Sequence, residues 1–269
     1  MNPYLLGILN ITADSFSDGG KYLQADAALA HARQLIADGA HILDIGAAAS
    51  NPASQAVAPD LEIARLAPVV AALHAEGVAL SIDSFAPEVQ RWALQQGVVY
   101  LNDIHGFAEP SLYPHLAASE AKLIVMHAVQ AAGRASADDI PPETIFNRIL
   151  EFFEARLAAL AAAGVARDRL ILDPGMGMFL GRHAAASYEV LRRIGELRQA
   201  FGLPVLISVS RKSFLRRGRA VAAAGAATLA AELFAVCQGA DYIRTHVPAA
   251  LADGIMVWNA AASGNITSS

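Results

Sequence analysis

The sequence predicts a single-domain α/β fold of the (β/α)8 barrel class. Short β-branched or Leu-rich runs recur about every 30 residues, each followed by a longer segment with helical periodicity. The 269 residues accommodate eight such units, and no linker or composition shift divides them. The runs are almost continuously apolar, the pattern of a parallel sheet covered on its faces.

In order, the strand candidates are 4–9, 41–45, 78–82, 98–101, 122–126, 169–172, 204–209 and 241–244. Between them lie helical segments. In 60–76 the apolar Leu61, Ile63, Ala64, Leu66, Ala67, Val70 and Leu73 fall largely on one face. Several segments end at a glycine followed by the next strand, as at Gly39, Gly77, Gly97 and Gly164, where glycine supplies a left-handed cap. Pro87 and Pro110 sit near helix starts, where a missing N–H does no harm. Eight units in one chain of this length match a (β/α)8 TIM barrel spanning 1–269, with its active site at the C-terminal ends of the strands. An open doubly wound sheet is the alternative. It normally has fewer strands and often a Gly-rich first turn, whereas Asn10-Ile11-Thr12-Ala13-Asp14-Ser15 has no phosphate-binding glycine pattern.

Composition removes several function classes. With 55% hydrophobic and 17% charged residues the chain is not disordered, and one cysteine cannot form an intrachain disulfide. The mean hydropathy of +0.37 raises the question of a membrane protein. No run of about 18 to 20 apolar residues answers it, since 157–165 and 221–231 are interrupted by polar residues or glycine. No basic region precedes an apolar run at the N-terminus, so a soluble, cytoplasmic protein is expected. A net charge of −5 without a basic stripe argues against nucleic-acid binding. The local cluster of Arg211, Lys212, Arg216, Arg217 and Arg219 suits a small anionic ligand instead.

Reading the residue at each strand end gives Asn10, Asp44, Asp83, Asn102 with Asp103, His127, Asp173, Ser210-Arg211-Lys212, and Arg244 with His246. A lone Asp at such a position is usually a cap or turn former. Eight aligned cases around one barrel mouth point to a site. Asp83, Asn102 and Asp173 offer acceptors and an amide, which suits a heterocycle presenting several N–H donors. Lys212, Arg244 and His246 come from the last two strands, where barrels commonly hold phosphate. A helix starting near Ser213 would offer free N–H groups to a carboxylate or phosphate. By contrast, His105, His115, His127 and His183 lack zinc-site spacing, and Cys237 sits in apolar helical sequence.

At these residues the sequence resembles dihydropteroate synthase, nearly from end to end. The resemblance is carried by Asn10 through Gly20 (NITADSFSDGG), Leu172-Asp173-Pro174-Gly175-Met176-Gly177, Ser210-Arg211-Lys212-Ser213 and Ile243-Arg244-Thr245-His246. It implies condensation of 6-hydroxymethyl-7,8-dihydropterin diphosphate with 4-aminobenzoate, giving dihydropteroate and diphosphate, with Mg²⁺ as cofactor. By position, Asp83, Asn102, Met126, Asp173 and Lys212 resemble the family's pterin-binding residues. Asn10, Arg244 and His246 resemble its diphosphate group, with Asn10 the metal residue and Lys212, Arg244 and His246 the catalytic set. Ser50, Asn51, Pro52, Met178, Phe179, Lys212 and Ser213 correspond to the aminobenzoate side. The two mobile loops of the family correspond to Thr12 through Gly20 and Ala47 through Gln55.

Two departures stand out. Ser50-Asn51-Pro52 replaces the usual Thr-Arg-Pro, and Met176-Gly177-Met178-Phe179-Leu180-Gly181 replaces the usual Phe-Gly-Phe-Gly-Lys. Both resemble the sulfonamide-insensitive branch, whose members carry two aromatics where this chain has Met178-Phe179. A methyltransferase acting on methyltetrahydrofolate is an alternative within the same pterin-binding group, as is a non-catalytic pterin-binding protein. The Ser-Arg-Lys-Ser and Arg-x-His segments argue against the first, because a methyl donor has no diphosphate to hold. Excess apolar residues over 223–236 fit a homodimer surface.

Overall fold

The alternation of side chains along a strand decides what fills this barrel. A computed structural model describes residues 2–11, 21–48, 57–129, 139–216 and 218–263. Its eight strands are β1 (Tyr4–Asn10), β2 (Ile42–Gly46), β3 (Leu80–Asp83), β4 (Tyr100–Asp103), β5 (Lys122–Met126), β6 (Leu170–Asp173), β7 (Leu206–Ile207) and β8 (Tyr242–Thr245). All pair in parallel, in the order β6-β5-β4-β3-β2-β1-β8-β7. A bridge between Leu172 and Val205 brings β6 to β7 and closes the ring. The helices are α1 (Lys21–Ala37), α2 (Pro59–Ala75), α3 (Pro87–Gln95), α4 (Tyr113–Ala118), α5 (Ile145–Ala162), α6 (Ala184–Arg192), α7 (Ile194–Phe201), α8 (Ser213–Arg216), α9 (Gly225–Cys237) and α10 (Pro248–Ser263). The closed ring of parallel strands sets aside the open-sheet alternative.

Seven strand candidates match within two residues at each end. The eighth, 204–209, shrinks to Leu206–Ile207. Pro204 has no N–H to donate, although its carbonyl accepts from Leu172 N at 2.9 Å. The Val205 N–H is taken by the Asp241 carboxylate at 3.0 Å. Beyond Ile207 the chain turns, and Lys212 N returns to Val209 O at 3.1 Å. In α2 the buried face is Glu62, Leu66, Val69, Val70 and Leu73, while Leu61 faces solvent at 43% exposure. The apolar periodicity misassigned one turn there because the Glu62 side chain is itself on the buried face, 2% exposed. The glycines expected as caps do adopt positive φ, from 72° at Gly97 to 96° at Gly39.

Leu6, Ile42, Tyr100, Ile124, Ile171, Leu206 and Tyr242 form a buried apolar floor inside the barrel. Residues two further along a strand point the same way. From Ile42, Tyr100, Ile124, Ile171 and Tyr242 that step reaches Asp44, Asn102, Met126, Asp173 and Arg244. A mostly polar layer therefore lies directly above the apolar one. The larger core fills the space between the outward strand residues and the helices, with Phe107, Phe146 and Phe153 among its largest buried side chains.

At the opposite end, Arg169 staples the entry to β6. It is 8% exposed. Its Nε and Nη2 donate to Ala121 O at 2.9 and 2.7 Å, and Nη2 also donates to Leu116 O and Ser119 Oγ at 3.0 Å. These acceptors include Leu116 O near the end of α4, where Arg169 adds to the donations from Ser119 N at 3.3 Å and Ser119 Oγ at 3.0 Å. Arg169→Met should lower stability by about 2–4 kcal/mol by stranding buried acceptors. Urea unfolding measures the loss, and activity per folded molecule should be unchanged because the substitution lies below the floor.

Candidate active site

Arg244 occupies the centre of the polar layer. Its Nε donates to Asp44 Oδ2, and its Nη2 donates to Asp83 Oδ2 at 2.7 Å. Burial works against this cation, but the Asp44 and Asp83 carboxylates more than offset it and hold the guanidinium above its ordinary pKa. Asp83 is raised too, to about 7, but toward its neutral form: burial raises it, Arg244 opposes, and Asp44 adds to the rise. Asn102 donates from Nδ2 to Asp44 Oδ2 at 3.2 Å. Its Oδ1 is buried and makes no hydrogen bond. A buried acceptor left open costs free energy, so this oxygen is suited to a ligand N–H.

Asp173 ends β6 beside this group, 2% exposed, with Oδ1 accepting from Gly175 N at 2.8 Å. Burial raises its carboxyl to about 6, against the pull of that N–H, Lys212 and Arg244. The turn requires Gly175, whose φ is 72° and where an added Cβ would stand 2.3 Å from His127 O. Burial and the Arg244 charge lower Lys212 to about 8, while Asp173 and Asp83 oppose the shift. Its ammonium lies 4.7 Å from the centre of the Phe179 ring, within cation–π range.

The cationic side is built where β7 and β8 end. Ser210 Oγ accepts from His246 N at 3.2 Å and lies 2.9 Å from His246 Nδ1. Arg211, exposed, has a positive φ of 61°, an uncommon conformation outside glycine that is seen where a turn carries function. Thr228 Oγ1 holds it by accepting Arg211 N at 3.2 Å. Asn10 is exposed at the rim, at the end of β1.

An apolar wall of Ile104, Met126 and Phe179, backed by Phe85, Ala128 and Met178, borders the polar layer. Beside it, a cavity of about 410 Å³ is lined by residues including Met178, Arg182, His183, Tyr188 and Ser213. The helix expected at Ser213 is present as one turn, α8. Asp139 reaches this edge, accepting from Arg182 at 3.1 and 2.5 Å and lying 2.6 Å from His183 Nε2.

The structure thus brings together Asp83, Asn102, Met126, Asp173, Lys212 and Arg244, with His246 on the cationic side and Met178, Phe179 and Ser213 on the wall and cavity side. Ser50, Asn51 and Pro52 lie outside the described residues, as do 12–20 and most of the second loop. Two strand-end residues are occupied elsewhere. Asp103 accepts from His105 N, Phe107 N and Gln90 Nε2 at 2.7, 3.0 and 3.0 Å, holding the loop after β4. His127 is buried with Nδ1 3.1 Å from Pro174 O, and burial lowers it to about 4. Asp44 was visible as a strand-end acid but had no assigned role. Its position two residues after Ile42 would have placed it beside Arg244.

The chain matches the model of the "Pterin binding enzyme" family over residues 6–246. It is 56% identical over 261 residues to dihydropteroate synthase type-2 of Escherichia coli, covering 96% of each chain. Among solved structures, dihydropteroate synthase of Xanthomonas albilineans in complex with 7,8-dihydropteroate superposes with a TM-score of 0.85 at 32% identity, covering 97% of this chain and 94% of that one. The same enzyme with 4-aminobenzoic acid gives 0.88 at 32% identity, covering 97% and 93%.

His246 supplies a test of the electrostatics. Burial, together with Arg211, Arg244, Lys212 and His31, lowers its imidazole to about 3. Without an anion it should show no NMR titration between about pH 8 and pH 5. Saturating inorganic diphosphate should raise its pKa by at least about one unit, because the anion offsets those cations.

Proposed function

The chain belongs to the dihydropteroate synthase family of pterin-binding enzymes, and we propose how its residues divide the work. The reaction joins 6-hydroxymethyl-7,8-dihydropterin diphosphate to 4-aminobenzoate: the C–O bond to diphosphate breaks, the aniline nitrogen bonds to the pterin methylene, and that nitrogen loses a proton. The observation that carries our assignment is the layer of Asp83, Asn102 and Asp173, with the open Asn102 Oδ1, on an apolar floor and next to cations. Its acceptors match the N–H edge of the pterin. Met126 lies against the ring, and Asp83 exchanges part of its bond to Arg244 for a ring N–H.

Diphosphate is assigned to the His246 side, with Arg244, Lys212 and Asn10 facing it. Departure of this group develops negative charge, so fixed cations serve the step better than a strong base. Among the described residues no cluster of three His, Cys, Asp or Glu could hold a metal. One exposed carboxamide oxygen on Asn10 nevertheless fits Mg²⁺, which favours oxygen donors and takes most of its ligands from phosphate and water. Bound there, the ion would neutralise leaving-group charge. Aminobenzoate is assigned between Lys212, Ser213, Met178 and Phe179; Ser50, Asn51 and Pro52, outside the described residues, are assigned to the same substrate by the family resemblance.

Sulfonamide insensitivity belongs to the same proposal. Drug and substrate share an aniline, and only the drug carries a substituted sulfonyl group. A side chain at the Met178-Phe179 edge can reject that bulk at small cost to the substrate. No helix among the described residues is long and apolar enough to cross a membrane, and a cytoplasmic location is our inference. A homodimer is supported by the exposed Phe234, Met256, Val257 and Trp258, and by an apolar groove of about 780 Å³ between α9 and α10.

Asp173→Asn should weaken binding of the pterin diphosphate about 10- to 100-fold. Arg244→Ala or His246→Ala should instead lower kcat about 100-fold or more, measured by diphosphate release. Unchanged pterin affinity in Asp173→Asn would remove its ring-binding role. For the drug edge, Met178→Phe should raise the sulfamethoxazole inhibition constant about tenfold while the aminobenzoate KM moves less than about threefold, because Phe is the stiffer barrier. Equal sensitivity of both enzymes would refute the steric gate.

A further inference from the structure

Helix α9 reads GAATLAAELFAVC, apolar except at Thr228 and Glu232. Glu232 is 2% exposed. A leucine would fill similar space without the cost of burying a carboxyl group. The Thr245 hydroxyl is the polar group that faces the Glu232 carboxyl, and the buried Glu232 Oε1 makes no hydrogen bond. Burial pushes the carboxyl up to about 8, with Thr245 pulling against it.

Thr245 stands on β8 between Arg244 and His246, facing outward while they face the mouth. Its Oγ1 accepts from Val247 N at 3.2 Å, which leaves the hydroxyl proton to point toward Glu232. One helical turn before Glu232, Thr228 Oγ1 takes Arg211 N at 3.2 Å. Ser210 Oγ, 2.9 Å from His246 Nδ1, joins the two segments. Glu232, Thr228, Ser210 and Arg211 border one cavity of about 500 Å³. Thr228 thus holds one segment of the cationic side from behind, and Glu232, one turn on, borders the same cavity as Ser210, Arg211 and Val247.

We propose that Glu232 is a positioning residue for the diphosphate end of the site, acting through Thr245 on the turn that sets Arg244 and His246. The inference rests on the assignment of diphosphate to that end. With Glu232 as acceptor, the Thr245 hydroxyl keeps its lone pair on Val247 N. Without it, the hydroxyl proton must seek another acceptor, and the turn carrying His246 loses its fixed partner. Aminobenzoate lies against Lys212, Ser213 and the Met178-Phe179 wall, so its binding should be insulated from the change.

The test compares Glu232→Leu, Glu232→Gln and Thr245→Val by steady-state kinetics and by inhibition with inorganic diphosphate. Glu232→Leu and Thr245→Val should each lower kcat/KM for the pterin diphosphate and weaken diphosphate inhibition about tenfold, the scale of one buried hydrogen bond. The aminobenzoate KM should stay within about twofold, and Glu232→Gln, whose amide oxygen still accepts, within about threefold of wild type on every parameter. A folded Glu232→Leu enzyme with wild-type kcat/KM for the pterin diphosphate overturns the proposal. If that variant does not fold, wild-type behaviour of Thr245→Val overturns it equally. His246→Ala separates the two readings. If it leaves diphosphate inhibition unchanged, the placement of diphosphate is wrong; if it weakens inhibition while the Glu232 and Thr245 variants do not, only the positioning role fails.

Discussion

Arg244 carries a guanidinium into the barrel, where its side chain is 15% exposed, and the cluster holds because Asp44 and Asp83 reach it from β2 and β3. Taking such charges out of water is costly, and an apolar trio of similar volume would often be as stable or more so. Removing one partner is different, since the remaining buried charge costs about 3–5 kcal/mol. The three side chains are therefore mutually dependent. Asn102 is tied to the same centre through its bond to Asp44, so the orientation of the open Asn102 Oδ1 depends on the ion cluster as well.

The neighbouring groups are held near the point of changing charge. Burial raises Asp173 to about 6 and lowers Lys212 to about 8, and each opposes the shift of the other. A ligand presenting N–H donors favours the Asp173 carboxylate, and an anion favours the Lys212 ammonium. Ring binding thus favours loss of a proton at Asp173, and anion binding favours its retention at Lys212. One substrate carrying both features satisfies them together, which neither half would do alone.

Strand positions were legible because buried parallel strands are apolar runs, and the outline of the site followed from where those runs end. The errors have physical causes. Pro204 and the Asp241 carboxylate take hydrogen bonds out of the seventh ladder, and Glu62 turns inward where apolar periodicity pointed to Leu61. Position in the chain could separate the inward Asp173 from the loop-holding Asp103 only through alternation, since each follows an apolar run. The Asp139, Arg182 and His183 edge was out of reach, because its members are 43 and 44 residues apart. Glu232 did leave a trace, as an acid in an otherwise apolar helix, but which strand it would meet depends on packing.

The segment after β6 couples the drug-facing edge to the charge chemistry. Gly177, at φ 68°, packs against the Lys212 stem, where an added Cβ would lie 3.4 Å from Cδ. Its N–H is held by Ser187 Oγ at 2.9 Å. On the other side the Lys212 ammonium faces the Phe179 ring at 4.7 Å. The stretch that supplies bulk at Met178 and Phe179 is thus also the one that guides Lys212 toward Asp173. Reshaping this edge to exclude a larger aniline is constrained by the need to leave that lysine in place. Met178 reaches the wall from a half-buried position, whereas Phe179 is buried against Lys212, so variation in bulk is better tolerated at 178 than at 179.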